Sequence, residues 1–330
     1  MRTLERKQIR LGLIGYGEIG STVGKGLRNA GLASLQCYDK SAFDGPYAGL
    51  IQSRAHDAGV TLVRSQEELA AGSDLIVGFT PGSASVESAR SFARALRQDH
   101  VFVDFASATP KVKLEVADTL KQTGATVGDG SILGNPANGY AMPMLASGPA
   151  AQDIVRALVP WGMNIEIAGD RLGMASGIKI LRSVLFKGIE ALLDEMILAA
   201  RAYDMDEVVL ASAFKTLERS PWPEILETVI PSGALHARRR AEELEMAAEA
   251  IEAVGVEPIM ARAGAARLKW KDGLGLKQHF KGVMPKTQQE VFEAIEYLIR
   301  LSTKDVVPKT EDSVRKEAEL FTPLAAAPVI

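Results

Sequence analysis

One short stretch near the start of the chain, Ile9 to Gly20 (IRLGLIGYGEIG), restricts the possible folds most strongly. An apolar run there breaks into glycines at positions 15, 17 and 20, which is the spacing G-x-G-x-x-G. In such a turn the first glycine allows a tight bend, the second lets a ligand approach the backbone, and the third lets the next helix pack closely on the sheet. Free N–H groups at the start of that helix favour phosphate binding. The stretch therefore predicts a strand–turn–helix unit that binds a dinucleotide.

Length and composition are typical of a globular protein with two domains, since the chain has 330 residues, 47% hydrophobic and 24% charged. A formal net charge of −3 argues against nucleic acid or an anionic membrane as the partner. The single cysteine, Cys37, excludes an intramolecular disulfide, and no His or Cys cluster indicates a metal site. No apolar run is long enough to span a membrane, and the charged start does not resemble a signal peptide. We therefore expect a cytoplasmic protein that acts on a small molecule.

The first half of the sequence alternates short apolar runs with helical patterns. After the opening strand, helices are predicted over 18–31, 83–96 and 110–121, and strands over 35–39, 60–63, 75–79, 101–105 and 125–127. This alternation is typical of a doubly wound parallel sheet with right-handed crossovers. We expect a Rossmann-type α/β domain over residues 1–170, with the glycine turn at its first strand-to-helix junction.

Asp39 ends the predicted second strand, about 20 residues past the glycine turn. A carboxylate there can accept both ribose hydroxyls and repels a 2′-phosphate, which favours NAD as the cofactor. Lys40 beside it could accommodate that phosphate, so NADP is not excluded. The alternative for Asp39 is a solvated acid that opens a loop.

Two further strand ends carry hydroxyl groups at the edge of the sheet where ligands bind. Thr80 and Pro81 follow the fourth strand, and Ser107 follows the next. These residues are candidates for contact with the nicotinamide ribose or carboxamide. Ser107 or Thr109 would equally well cap the helix that starts at Pro110.

From Leu172 onward the sequence predicts an all-α domain over 171–330. Its first helix, 172–202, has about 30 residues and would span about 45 Å, long enough to join the domains. Apolar residues recur along it every three or four positions and predict a buried stripe: Ile178, Leu181, Leu185, Ile189, Leu192 and Met196. Further helices are predicted over 207–219, 236–254, 258–271 and 286–301, and the tail after Pro308 is expected to be loosely ordered. Amphipathic helices of this length favour a homodimer formed through the second half.

Four segments, in order, resemble the β-hydroxyacid dehydrogenases, the family of 3-hydroxyisobutyrate and 6-phosphogluconate dehydrogenases. They are the glycine turn, DFASATP at 104–110, VGDGSILGNP at 127–136 and GMASGIK at 173–179. The resemblance implies an oxidoreductase and assigns cofactor binding to Gly15, Gly17, Glu18, Ile19, Gly20 and Ser107. It also places a substrate loop at 129–134, including Ser131, Leu133 and Gly134, and the catalytic lysine at Lys179.

The chain departs from this family at three positions. The family usually has Ser-Gly-Gly in the substrate loop, and Leu133 stands here in place of the serine. Ser183 stands where the family usually has an asparagine four residues after the lysine. The family's late Lys-Asp pair has no clear match, and the stretch that begins at His236 (HARRRAEELEMA) occupies its neighbourhood. These departures argue against 3-hydroxyisobutyrate and 6-phosphogluconate as substrates. Leu133 favours a less polar or bulkier substrate, such as an aromatic one.

Lys179 has a small and apolar sequence environment, and a lysine suits proton exchange with a hydroxyl group if burial lowers its pKa. Periodicity alone favours instead a lysine that reaches solvent from an interdomain helix. Ser183, one turn later, either hydrogen-bonds the substrate or lysine, or is a small residue for helix packing. Candidate anchors for a substrate carboxylate are Arg182, His236 and Arg239, although the arginine run 238–240 is also typical of a solvated helix face.

The sequence thus predicts an NAD(P)-dependent dehydrogenase with Lys179 as general acid/base, acting on a hydroxy acid or its carbonyl form. Two alternatives stay open. One is an imine reductase of the same architecture, in which the lysine is typically replaced. The other is a non-catalytic sensor or scaffold that binds the dinucleotide only.

Overall fold

A computed structural model describes residues 9–304 of the chain, which form two compact units divided between Phe186 and Lys187. The domain boundary expected after residue 170 lies before this division. The tail after Pro308, expected to be loosely ordered, lies outside the described residues. Within the described part of the chain, no helix is both long enough and apolar enough to cross a membrane.

The first unit is built on an eight-stranded sheet, counted over residues 9–304, with strand order β3-β2-β1-β4-β5-β6-β7-β8. The strands are β1 (Leu11–Ile14), β2 (Leu35–Tyr38), β3 (Thr61–Leu62), β4 (Leu75–Gly78), β5 (Val101–Asp104), β6 (Thr126–Ile132), β7 (Met144–Ser147) and β8 (Ile165–Gly169). The helices between them are α1 (Glu18–Asn29), α2 (Ala48–Asp57), α3 (Gln66–Ala71), α4 (Ser85–Phe92), α5 (Pro110–Leu120) and α6 (Ala151–Leu158). The order confirms the Rossmann-type sheet predicted from the alternating pattern.

The central strands β1, β4 and β5 are buried along their whole length, because helices cover both faces of the sheet. One apolar core lies on the face that contains Leu13 and Val103, and a second lies on the face that contains Ile76 and Phe102. The strand order reverses at β1, which pairs with β2 on one side and with β4 on the other. Ligands of doubly wound sheets bind in the crevice at such a reversal, beyond the carboxyl ends of the strands.

The last part of the sheet differs from the expectation. The segment 129–134, expected to be a loop, continues β6 as far as Ile132, and β6 pairs antiparallel with β7. Gly130 allows this because Phe105 lies against it, where a Cβ atom would come within 2.6 Å of the ring. The strands β7 and β8, of four and five residues, were not predicted from the sequence.

The second unit is helical throughout the described residues. Helix α7 (Met174–Ala202) crosses the division between the units and is followed by α8 (Asp206–Leu217), α9 (Trp222–Ala253), α10 (Ile259–Gly273), α11 (Leu276–His279) and α12 (Gln288–Lys304). The helix predicted from His236 corresponds to the second part of α9, because two helical segments meet at a kink at His236, whose φ and ψ are −117° and 17°. The part of α9 from Trp222 up to this kink was not predicted. Proline inside a helix removes a backbone donor, and Pro231 lies shortly before the break.

The predicted burial of the apolar stripe on α7 is also wrong for the single chain. Leu181, Leu185 and Leu192 are 72%, 53% and 51% exposed. Helical periodicity shows that one face is apolar, but it does not show what covers that face.

Candidate active site

The glycine turn after β1 has the geometry that a dinucleotide requires. Gly15 has a φ of +82°, and a Cβ atom there would lie 2.9 Å from the carbonyl oxygen of Phe79. A Cβ atom on Gly20 would collide with the Gly15 carbonyl oxygen, whereas nothing lies within 4 Å of the Cβ position of Gly17. Helix α1 begins at Glu18 without a side-chain cap, so its first N–H groups can bind phosphate oxygens. These residues fit a bound pyrophosphate.

A groove of about 830 Å³ begins at this turn and follows the carboxyl ends of β1, β2 and β4. It is lined by most of the predicted cofactor residues: Gly15, Gly17, Glu18, Ile19, Asp39, Thr80 and Pro81. Gly20 lies behind the turn and is buried against it. The groove continues past Tyr47 and Arg54 on the β2 side.

The carboxylate of Asp39 is held in place by two backbone groups. Its Oδ2 accepts the Tyr16 N–H at 2.8 Å, and its Oδ1 accepts the Ser41 N–H at 2.9 Å. Asp39 therefore ties the end of β2 to the glycine turn and lines the groove, unlike a solvated acid in a loop. Lys40 is exposed and lines the same groove.

A second cavity of about 410 Å³ shares Ile19, Phe79 and Thr80 with the groove. Its other lining residues are Phe105, Ser107, Ile132, Leu133, Gly134, Pro136 and Lys179. The fold thus brings together a hydroxyl that follows β5, the end of β6 and a lysine on α7. Thr109 is the N-cap of α5 and accepts the Val112 N–H at 3.4 Å, while the exposed Ser107 lines the cavity.

Other predicted residues lie elsewhere in their units. Ser131 is fully buried in β6 and does not line the cavity. The Ser183 hydroxyl donates to the backbone oxygen of Lys179 at 3.0 Å. In the second unit, the exposed His236 lies at the break of α9, and the exposed Arg239 pairs with Glu243 at 2.7 Å.

The arginines of the 238–240 run and Arg182 have partners that are typical of helix surfaces. Arg238 donates to Asp272 at 3.0 Å, and the Arg182 guanidinium lies 5.3 Å from the centre of the Phe186 ring. A substrate role for these cations therefore stays a prediction.

A buried lysine that the sequence analysis did not single out lies next to this site. Lys113 on α5 is 1% exposed, and its Nζ donates to the backbone oxygen of Asp104 at 2.6 Å and to Asp104 Oδ2 at 3.0 Å. The same Nζ lies 3.5 Å from Asp129 Oδ1. The sequence contained an indication that Lys113 is buried, because Lys113 lies on the same stripe of α5 as the apolar residues Val116 and Leu120, which are also buried.

Asp129 connects this lysine to the start of α7. Its Oδ2 accepts the Ser176 N–H at 2.9 Å and the Ser147 hydroxyl at 3.3 Å. Burial raises the pKa of Asp129, against the opposing effect of Lys113 and these hydrogen bonds. Ser147 in turn accepts the Ala175 N–H at 3.0 Å.

Sequence comparison identifies two regions of the chain. Residues 10–160 match the family described as the NAD binding domain of 6-phosphogluconate dehydrogenase. Residues 200–270 match a domain of unknown function (DUF1932).

Three solved structures are similar over most of the chain. A conserved hypothetical protein from Sinorhizobium meliloti 1021 is 29% identical, with a TM-score of 0.57 over 80% of this chain and 89% of its own. A conserved protein of unknown function, described as similar in structure to 3-hydroxyacid dehydrogenases, is 27% identical, with a TM-score of 0.56 over 80% and 98%. A variant imine reductase from Myxococcus stipitatus in complex with NAD⁺ is 16% identical, with a TM-score of 0.60 over 86% and 99%, and shows likeness of fold alone.

The glycine turn, the groove and the sequence match agree on a domain that binds NAD. The similar solved structures show that the fold is shared with imine reductases. The chain therefore combines an NAD-binding domain of the 6-phosphogluconate dehydrogenase type with a helical domain of unknown function.

Proposed function

We propose that the chain is an NAD(P)-dependent dehydrogenase that interconverts a hydroxy acid, or a related alcohol, and its carbonyl form. The observation that carries this proposal is the position of Lys179 beside the cofactor groove. Lys179 lines the second cavity, which shares Ile19, Phe79 and Thr80 with the groove. An extended dinucleotide whose pyrophosphate lies at the glycine turn would direct its nicotinamide toward this cavity.

The chemistry requires a proton-transfer group next to the reacting carbon. The bound cofactor supplies the hydride acceptor for oxidation and, in its reduced form, the hydride donor for reduction. In oxidation, neutral Lys179 accepts the hydroxyl proton at Nζ while the C–O single bond becomes a carbonyl. In reduction, its ammonium group returns that proton to the oxygen. Ser107 offers a hydroxyl in the same cavity to orient the substrate or the carboxamide.

The lining of the cavity favours a substrate with an apolar group. Phe105, Ile132 and Leu133 contribute apolar side chains, whereas the polar side chains are those of Thr80, Ser107 and Lys179. Leu133 cannot donate the hydrogen bond that a serine would offer to a polar substrate. We infer a less polar or bulkier hydroxy acid, with an aromatic one among the first to test.

The decisive variant is Lys179→Ala, with Lys187→Ala as its matched control, because Lys187 is an exposed lysine on the same helix. Both variants are compared with the unmodified protein for NADH affinity, by fluorescence titration, and for turnover of aliphatic and aromatic hydroxy acids. We expect Lys179→Ala to lower kcat by about 10²-fold or more, the usual contribution of a general acid/base, with unchanged NADH affinity. Lys187→Ala should retain both properties.

The same assay separates the alternatives. Full turnover by Lys179→Ala would refute the assigned role of this residue. Reduction of cyclic imines without activity on hydroxy acids would identify an imine reductase. Cofactor binding without turnover of either class would identify a sensor.

We also propose that the chain forms a homodimer through its helical half. Support comes from an exposed apolar patch on α7, where Leu181, Val184, Leu185 and Phe186 are 72%, 72%, 53% and 58% exposed. Contiguous apolar surface of this kind is typical of protein–protein interfaces.

A further inference from the structure

A buried charged cluster, which we call the anchor cluster, connects the sheet to the start of α7. It consists of Asp104 on β5, Lys113 on α5, Asp129 on β6 and Ser147 on β7, all buried. Buried ion pairs add little net stability, since well-packed apolar residues of similar volume often stabilise a fold equally well. Net stability alone therefore does not explain why three charged side chains lie in the interior.

The anchor cluster supplies partners for backbone groups that the helix itself leaves unpaired. The first N–H groups of any α-helix have no acceptor within the helix. At the start of α7, the Ala175 N–H is bound by Ser147 Oγ at 3.0 Å and the Ser176 N–H by Asp129 Oδ2 at 2.9 Å. Two different strands thus hold two successive residues of one helical turn.

The charges of the cluster suit this arrangement. Lys113 contacts both Asp104 and Asp129, so one cation faces two carboxylates. Asp129 lies next to the start of α7, where the helix dipole is positive. Lys113 also donates to the backbone oxygen of Asp104 at 2.6 Å, which fixes α5 to the carboxyl end of β5.

We propose that Asp129 and Ser147 are positioning residues that fix the first turn of α7 on the sheet and so fix where Lys179 stands in the cavity. Lys179 follows Ser176 by one turn, on the same helix. A misplacement of about 1 Å can cost an enzyme about 10²-fold in rate. The inference rests on the proposed catalytic role of Lys179 and adds the groups that hold it.

The test compares Ser147→Ala with Ser85→Ala. Both serines are buried and donate to a carboxylate of the anchor cluster, Ser147 to Asp129 and Ser85 to Asp104. Only Ser147 also binds an N–H group of α7. The pair therefore separates the general loss of a buried hydrogen bond from the loss of the α7 anchor. Ser147→Cys, which fills similar space with a weaker hydrogen-bonding group, is the second variant if Ser147→Ala does not fold.

Two measurements are made on the full chain with bound NADH. Hydrogen exchange should speed up about fivefold at Ala175 and Ser176 in Ser147→Ala and stay unchanged in Ser85→Ala, as expected when one hydrogen bond is lost. The kcat of Ser147→Ala should fall about tenfold and its pH profile should shift, with unchanged NADH affinity, while Ser85→Ala keeps both the kcat and the profile.

The outcomes are separable from those of the proposed function. Equal exchange at α7 in the two variants would overturn the inference, as would faster exchange in Ser147→Ala with full kcat and an unchanged pH profile. If the unmodified protein turns over no substrate, the catalytic role of Lys179 fails. The exchange comparison still decides whether Ser147 anchors α7.

Discussion

Gly17 and Gly20 stand three residues apart in the same turn, and they meet different surroundings. The Cβ position of Gly17 faces open space in the groove, whereas that of Gly20 overlaps the carbonyl oxygen of Gly15. Gly17 is therefore needed so that the ligand can approach the backbone, and Gly20 is needed so that α1 can pack closely on β1. Sequence spacing treats the two positions alike, and the structure separates them.

This difference predicts that alanine at position 17 affects cofactor binding, whereas alanine at position 20 affects the stability of the fold. Gly17→Ala should weaken NAD binding by about tenfold or more and leave the melting temperature unchanged, because the added methyl group occupies space for phosphate and strains nothing. Gly20→Ala should lower the free energy of unfolding by about 1–3 kcal/mol, because the turn must move to accept the methyl group. Thermal unfolding without cofactor and NAD titration test the pair. Equal loss of stability in both variants would contradict the assignment.

Asp39 carries the prediction on cofactor choice. Asp39→Ser removes the negative charge that would face a 2′-phosphate, so the affinity for NADP relative to NAD should rise about tenfold or more. Asp39 also binds the Tyr16 N–H, and the loss of that contact weakens both cofactors, so the ratio of the two Kd values is the measurement. Asp44→Ser, an exposed acid that does not line the groove, is the control for net charge. An unchanged ratio in Asp39→Ser would show that Asp39 does not select the cofactor.

The turn before β5 is held by a buried histidine whose contacts require the neutral ring. His100 is 2% exposed, accepts the Arg97 N–H at Nδ1 (2.9 Å) and has Nε2 3.1 Å from the Ala70 oxygen. These partners suit the neutral ring with its proton on Nε2, because protonation at Nδ1 would break the bond to Arg97. Burial is the main cause that lowers the pKa of His100 below its ordinary value of 6.5.

The lowered pKa gives a pH dependence of defined sign. The unfolded chain takes up a proton at His100 before the folded chain does, so the contribution of His100 is fully present above pH 6.5 and is lost as the pH falls through the folded pKa. Compared with the unmodified protein, His100→Gln should lose less stability on acidification, by up to about 1.4 kcal/mol per pH unit. Urea unfolding between about pH 7 and 5 measures this, with the exposed His56→Gln as control. Parallel curves for His100→Gln and the unmodified protein would contradict the prediction.

The exposed apolar face of α7 concerns how complete chains associate. If this face forms the homodimer interface, Leu181→Glu with Leu185→Glu should convert the dimer into a monomer, because two charges would be buried without partners. Light scattering at micromolar concentration measures the mass. Val159→Glu, a change at an exposed apolar residue outside α7, should leave the mass unchanged. A monomeric unmodified protein would refute the dimer.

The parts of the fold that follow from local patterns were predictable. The central strands carry continuous apolar runs, and α8, α10 and α12 lie within a few residues of their predicted ranges. The strands β7 and β8 were not predictable, because the pairing of β7 with β6 and of β8 with β7 depends on contacts between residues that are distant in the chain. The helical half of α9 before His236 was missed, because its interior Pro231 favours a helix boundary in a sequence analysis.

The candidate site divides in the same way. The glycine turn and Asp39 were recognisable because their spacing reflects one strand, one turn and the next strand. Ser107 was recognisable because it follows a predicted strand, and Lys179 because of a family resemblance. Lys113 was missed, because a lysine at an apolar position becomes meaningful only when carboxylates from two other strands are known to face it.

A dinucleotide-binding turn in an α/β sheet and a long series of helices could be predicted from the sequence, since hydrophobic period and glycine spacing act over a few residues. The three-dimensional arrangement was needed to show which hydroxyl caps a helix and which lines a cavity, that Ser131 is buried, and that the stripe on α7 is exposed in the single chain. Burial and pairing depend on what packs against a residue. Those partners come from strands and helices far away in the chain.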